Sequence, residues 1–402
     1  MNKTTNWLDQ VIQVQIEKVA HGGIFVARHE GRVVFVSHVL PDEIAKVRVF
    51  EDKGGSFCRA EPVEIVQASP DRVPHIWKNA ELAGGAEFGH IKLSRQRELK
   101  ADVLQEGLAR FAGIDLRVEV RSAPGDDEAN GLGYRTRVQL HVDENGDAGP
   151  YKERSHDVVR VKKLPLAVAD IEELGLHTKN WQDVKKIEIA YSSTGQIQWT
   201  IDKKLKGEEK FIERAGGRTF RLSAGAFWQV HKEAANLLAA EVVAMAKAQN
   251  FDSQAQNYDL YGGVGLFSGA LASAFGLDLK ITTVEAAKNA AEDARRNLVD
   301  IKGAKSIALP TERFLDELAS HGKLKAKSTV IIDPPRAGAG KHVIERLLEL
   351  SPAHLIYVAC DPIALSRDLK PLTEAGYKIA KIASYDLFPH THHFETIVSL
   401  VK

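Results

Sequence analysis

With 402 residues, 44% of them hydrophobic, and 54 basic residues balancing 54 acidic ones, the chain has material for about two or three folded units and no net charge. That balance excludes a whole-chain pull toward polyanions, so a nucleic-acid site must be a local patch. Two cysteines, Cys58 and Cys360, are too few for a disulfide scaffold or a cysteine-ligated zinc or iron–sulfur centre. No apolar run approaches the roughly 20 residues that span a bilayer, and the start Met1–Trp7 lacks the apolar core of a secretion signal, which predicts a cytoplasmic protein.

Residues 11–66 read as short strands broken by turns: Val11–Val19, Ile24–Arg28, Val33–Val36, Ile44–Phe50 and Cys58–Val66. This spacing predicts a small OB-like β-barrel over residues 1–68. Barrels of this kind often bind single-stranded nucleic acid, but the near balance of charge here does not show it.

A second, β-rich unit is expected over 69–222. It contains a helical segment, 91–112, in which Leu93, Leu99, Val103, Leu104, Leu108 and Phe111 recur at helix spacing. Its strands are Tyr134–Val142, Val158–Val161, Val184–Tyr191 and Gln196–Ile201. In Tyr151–Lys163 basic residues outnumber acidic ones five to two. That segment reads either as a polyanion patch or as a solvated strand edge.

From 223 to 402 helices and strands alternate, ending in Lys378–Leu387 and Phe394–Val401, which a short loop forces to be antiparallel. The pattern predicts a doubly wound α/β sheet with a reversed last strand. Asp259-Leu-Tyr-Gly-Gly-Val-Gly-Leu-Phe267 turns a strand into a helix through glycines, and Glu285 ends the next strand, where a carboxylate accepts hydrogen bonds from ribose hydroxyls. The glycine spacing departs from the nicotinamide fingerprint, so the turn suits a methyltransferase better.

Asp333-Pro-Pro-Arg-Ala-Gly338 follows the fourth strand, at the edge where ligands bind in such sheets. Its Asp reads as a ligand-orienting group or as a turn residue. The apolar strand His354–Ala359 delivers Cys360 to a helix capped by Asp361 and begun by Pro362. Unpaired N–H groups and the helix dipole there predict a thiol pKa below the free value of about 8.5, hence a nucleophile; a buried structural cysteine is the competing reading. Phe388-Pro-His-Thr-His-His-Phe-Glu395 supplies a candidate general base in Glu395, with His390 and His393 next. No second carboxylate-rich cluster accompanies its histidines, and no metal is expected.

Tyr357-Val-Ala-Cys360-Asp-Pro-Ile-Ala-Leu-Ser-Arg-Asp368, the 333–338 and 388–395 segments, and Phe227-Trp-Gln229-Val resemble the RNA uracil-5-methyltransferases that use S-adenosylmethionine. Lys18-Val-Ala-His-Gly-Gly23, Gly31–Val36 and Leu40-Pro-Asp-Glu43 resemble that family's TRAM barrel. The resemblance implies a Rossmann-like class I methyltransferase domain with a seven-stranded sheet whose last strand is antiparallel. It implies Cys360 as nucleophile and Glu395 as proton acceptor. S-adenosylmethionine is expected to contact Gln229, Tyr261, Glu285 and Asp333, with Gly263 and Gly265 in the glycine turn.

The implied partner is RNA, ribosomal RNA ahead of transfer RNA, and the implied state a monomer. Leu266, Asp361 and Gly262 depart from a polar contact, an Asn and a Cys common in that family. Ala83 and Ala86 stand where many relatives carry iron–sulfur ligands, so no cluster is expected. Asp333-Pro-Pro-Arg336 lacks the cysteine of cytosine-specific enzymes, which favours uracil. A noncatalytic RNA-binding scaffold and a nicotinamide-dependent reductase are the rival readings.

Overall fold

The computed structural model describes residues 6–152, 155–208, 210–322, 324 and 327–402. Glu153 and Arg154 of the basic segment, and Met1–Thr5 at the start, lie outside the described residues. Among the described residues no helix is long and apolar enough to cross a membrane.

The strands Val11–Ala20, Ile24–His29, Arg32–Val36, Ile44–Glu51 and Phe57–Gln67 close into a barrel. Strict alternation along the first strand sends Ile12, Val14 and Ile16 inward and their neighbours to solvent. Cys58 is sealed in this barrel core with Phe25, Val34 and Val47. It is therefore a packing residue rather than a reactive thiol.

The predicted long helix is α-helical over Leu93–Gly107 and finishes as a π turn over Leu108–Ala112. It crosses the helix Pro362–Glu374 at Gly107, where a Cβ would stand 3.0 Å from Ile363 and 3.1 Å from Ser366. Beyond it lies a five-stranded sheet that includes Arg137–Val142, Lys186–Tyr191 and Ile197–Ile201. The expected strand Val158–Val161 is absent: Val158 makes one isolated bridge, to Tyr151. The Val159 carbonyl sits only 1.9 Å from where a Cβ on Gly149 would be, so only glycine fits beside this backbone.

The last part of the chain forms the predicted doubly wound sheet, and an eighth strand joins the expected seven. In spatial order these are Gly303–Ala308, Lys280–Glu285, Asn257–Leu260, Thr329–Ile332, His354–Ala359, Glu395–Val401, Lys378–Asp386 and Val120–Ser122. Only Glu395–Val401 runs against the rest. The eighth strand comes from within 69–222, as does the hairpin Phe211–Ala215/Arg218–Leu222, whose Phe211 and Phe220 enter the core on one face of this sheet. Neither was legible as part of the α/β unit, because each of these strands is five residues or shorter.

Candidate active site

Strand order reverses between Asn257–Leu260 and Thr329–Ile332, and a crevice opens beyond the carboxyl ends of strands at such a switch point. Tyr261 and Asp333, the residues that follow these two strands, line a pocket there together with Phe227, Gln229, Gly263 and Leu266. Gly263 holds φ 53° and faces open space, so its backbone is free to meet a ligand closely. Tyr261 is also left-handed, at φ 60°, a strain that in a non-glycine residue marks functional turns.

The Glu285 carboxylate accepts from the backbone N–H of Gly263 at 3.2 Å and of Ala287 at 2.7 Å, which fixes it beside the glycine turn. Gly265, expected among the ligand contacts, holds φ 94° in the same turn, and a Cβ there would lie 3.0 Å from Leu298. Gly262 has no room for a side chain either, since a Cβ would meet Thr283 at 2.4 Å.

Burial, with buried Asp259 adding its charge, pushes Asp333 up to about 7. Asp259 itself is raised to about 6 by burial against two hydrogen bonds from Ser268, and its second oxygen is buried without a partner. A glycine cradle, an anchored carboxylate, a second carboxyl and the 68% exposed ring of Phe227 fit a ligand with ribose hydroxyls, an aromatic base and positive charge. S-adenosylmethionine has all three.

Next along the sheet edge, the pairing ends with Ala359 opposite Thr396, so Cys360 and Glu395 are the next residues at the same end of the two strands, and the Glu395 charge acts on the thiol. The two are therefore neighbours at one strand end although 35 positions separate them along the chain. Asp361 caps the helix as expected, its Oδ1 accepting from Ile363 N at 3.0 Å and Ala364 N at 2.8 Å.

The expected fall in thiol pKa does not occur. Burial, then the carboxyls of Glu395 and Asp333, push Cys360 up to about 12, with Arg336 opposing and Asp361 adding. The thiol is buried, the Asp361 side chain rather than the thiol occupies the helix N–H groups, and carboxylates from elsewhere in the chain converge on the sulfur. Glu395 is buried, and burial together with Asp333 raises it well above the usual carboxylate range against Arg336.

The profile of the tRNA (uracil-5-)-methyltransferase family matches residues 200–402, and that of the TRAM domain matches residues 9–63. An uncharacterized RNA methyltransferase of Streptomyces avermitilis is 36% identical, covering 96% of this chain and 97% of its own. The chain belongs to the tRNA (uracil-5-)-methyltransferase family. It is accordingly an S-adenosylmethionine-dependent RNA methyltransferase.

An uncharacterized RNA methyltransferase of Bifidobacterium longum is 32% identical over 97% of this chain and 96% of its own. The crystal structure of the Pyrococcus abyssi tRNA (uracil-54, C5)-methyltransferase in complex with S-adenosyl-L-homocysteine shares the fold. Its TM-score is 0.72 at 20% identity, over 97% of this chain and 100% of that one.

In this methyltransferase the 388–395 loop is held from outside the sheet by groups that sequence reasoning missed. Lys100, buried on the long helix, donates to Asp386 Oδ1 at 2.5 Å and to the Phe388 carbonyl at 3.2 Å. Gln96, one turn earlier on the same stripe, accepts from His390 N at 2.7 Å, and the His390 ring meets Gln96 and the Asn130 carbonyl. Glu87 pairs with His392.

These bonds remove His390 from the list of bases. His393 is excluded differently, since burial with the neighbouring His392 and Arg336 pulls it down to about 3. Among the described residues no group of three or more His, Cys, Asp or Glu side chains is placed to hold a metal ion. The signal that could have found Gln96 and Lys100 is their i, i+4 spacing on the stripe that buries Leu104 and Gly107.

Lys100→Met leaves Asp386 buried without its cation and is expected to cost about 3–5 kcal/mol. Denaturant unfolding with hydrogen exchange in the 388–395 loop measures it; unchanged protection there would mean the loop is held by its other bonds.

Proposed function

We propose that this chain methylates carbon 5 of a uridine in RNA, with Cys360 adding to carbon 6 and Glu395 removing the carbon 5 proton. The observation that carries the reading is the antiparallel pairing of Ala359 with Thr396, which brings Cys360 and Glu395 to the same end of the sheet, one strand away from Asp333 and the glycine pocket. Carbon 5 of a pyrimidine is a poor nucleophile until a thiolate at carbon 6 turns the ring into an enolate. S-adenosylmethionine supplies, when bound, the electrophilic methyl group. Gln229, Tyr261, Gly263, Glu285 and Asp333 would hold it.

The charges of the pair order the steps. Two anions cannot share this buried volume, so a protonated Glu395 permits the Cys360 thiolate. The thiol proton leaves to solvent; addition at carbon 6 carries the sulfur's negative charge onto the enolate, methylation of carbon 5 neutralises it, and Glu395 then ionises by releasing its own proton to solvent. A carboxylate raised by burial is a stronger base, which suits removal of the carbon 5 proton from the methylated adduct. That electron pair re-forms the ring double bond and expels the thiolate.

Glu285→Ala is expected to weaken S-adenosylmethionine binding by about 1.5–3 kcal/mol through loss of charge-assisted bonds to the ribose. Calorimetry with unchanged affinity would move the ribose elsewhere. The function itself is tested by offering methyl-labelled S-adenosylmethionine with unmodified ribosomal RNA and transfer RNA in separate reactions, then digesting to nucleosides. Label in 5-methyluridine is expected, and the reaction that yields it identifies the substrate class. Label in 5-methylcytidine, or in neither RNA, overturns the reading.

A further inference from the structure

The first barrel turn, His21-Gly22-Gly23, lines the same small cavity as Cys360, Asp361, His392 and His393. His21 Nε2 lies 2.7 Å from Asp361 Oδ2, while the other Asp361 oxygen caps the helix. The turn is seated between two catalytic elements: Gly22 and Gly23 hold φ 86° and 74°, and a Cβ on Gly23 would touch His392 at 3.0 Å.

A helix cap needs only one side-chain oxygen, so Asn at 361 would serve the helix as well. Asp adds a negative charge beside the thiol, which disfavours the thiolate unless something offsets it. The charged and titratable groups around Cys360 are Glu395, Asp333, Arg336, Asp361, His21, His392, His393 and Lys100. Lys100 is committed to Asp386 and His392 to Glu87, whereas His21 is committed to Asp361. Against the burial that would raise it, the His21 hydrogen bond and the Ala364 N–H hold Asp361 below the usual carboxylate range.

We propose that His21 is a positioning residue for the reaction: reaching from the barrel, it fixes the cap of the cysteine helix and offsets the Asp361 charge at the thiol. The barrel thereby completes the catalytic site. The inference rests on Cys360 as nucleophile, so its test reads the thiol directly, without RNA.

Iodoacetamide is the probe: the thiolate displaces iodide to form a C–S bond, and intact mass counts the adducts. Cys58 is 1% exposed, so single alkylation reports Cys360, with Cys360→Ala as control. His21→Ala is expected to slow alkylation about tenfold at neutral pH, equivalent to about one unit in thiol pKa, and to move its pH profile upward. His21→Gln, which still donates to Asp361, recovers most of the rate. In Asp361→Asn protein the same His21→Ala change has no effect, because the charge it offsets is gone.

In turnover, His21→Ala lowers kcat about as much and leaves KM for RNA unchanged. Alkylation at the parental rate, or equal losses with Asp and with Asn at 361, would overturn the proposal. Failure of methyl transfer by the parent protein would count against the proposed function and leave the alkylation result standing.

Discussion

Cys360→Ala is expected to lower methyl transfer by at least about 10⁴-fold, about 5.4 kcal/mol of barrier, while S-adenosylmethionine binds with parental affinity. In the proposed mechanism the thiol acts on the base, and the pocket at the glycine turn does not include it. The pH dependence of the parent carries the same assignment. With Cys360 pushed up to about 12, the thiol is protonated near neutral pH. The thiolate fraction then climbs about tenfold per pH unit below that value, so alkylation of Cys360 should rise steadily from about pH 6 to about pH 9. A plateau near neutral pH would mean that the thiol is activated after all, as its place at a helix start suggested. Residual turnover in Cys360→Ala close to the parental rate would reject the covalent route.

Glu395→Gln is expected to stall the reaction after methyl transfer. Gln matches Glu in size and hydrogen bonding but cannot accept a proton, so thiolate addition proceeds and expulsion of the thiolate does not. The introduced amide is neutral, and burial with Asp333 likewise disfavours the charged form of Glu395, so the thiolate is expected to form as readily as in the parent. The expected species is a protein–RNA adduct that survives denaturant and migrates slowly on a denaturing gel. It should be absent from the Cys360→Ala, Glu395→Gln double variant. Free turnover by Glu395→Gln would place the base elsewhere. The 388–395 histidines are poor substitutes, since His390 is bound to Gln96 and Asn130 and His393 is pulled down to about 3.

Much of this site could be read from the chain because it sits at element boundaries. A continuous apolar strand followed by Asp361-Pro362 locates Cys360 without any tertiary information, and the structure reproduces His354–Ala359 as the strand. The glycine turn, Glu285 and Asp333 follow from the same alternation of strands and helices. What local pattern could not supply was the charge environment. The carboxyls of Asp333 and Glu395 reach Cys360 from two other segments, and Arg336 comes from the same loop as Asp333, so the direction of the thiol shift depends on burial and on their convergence. His21 escaped notice for a similar reason, being 340 positions from the Asp361 it contacts. Val120–Ser122 was too short for any period-2 signal, and its place beside Lys378–Asp386 is set by the neighbouring strand. Gln96 and Lys100 look like solvent-facing helix residues until the buried loop that they bond is in place.

The most direct test of the paired roles of Cys360 and Glu395 is the mass of the species trapped by Glu395→Gln. The variant is incubated with RNA and S-adenosylmethionine, the RNA is trimmed with nuclease, and the intact protein is weighed. The account predicts one protein-bound nucleotide fragment carrying one added methyl group, mapped by peptide analysis to Cys360. An adduct without the methyl group, or released 5-methyluridine with no adduct, would contradict it.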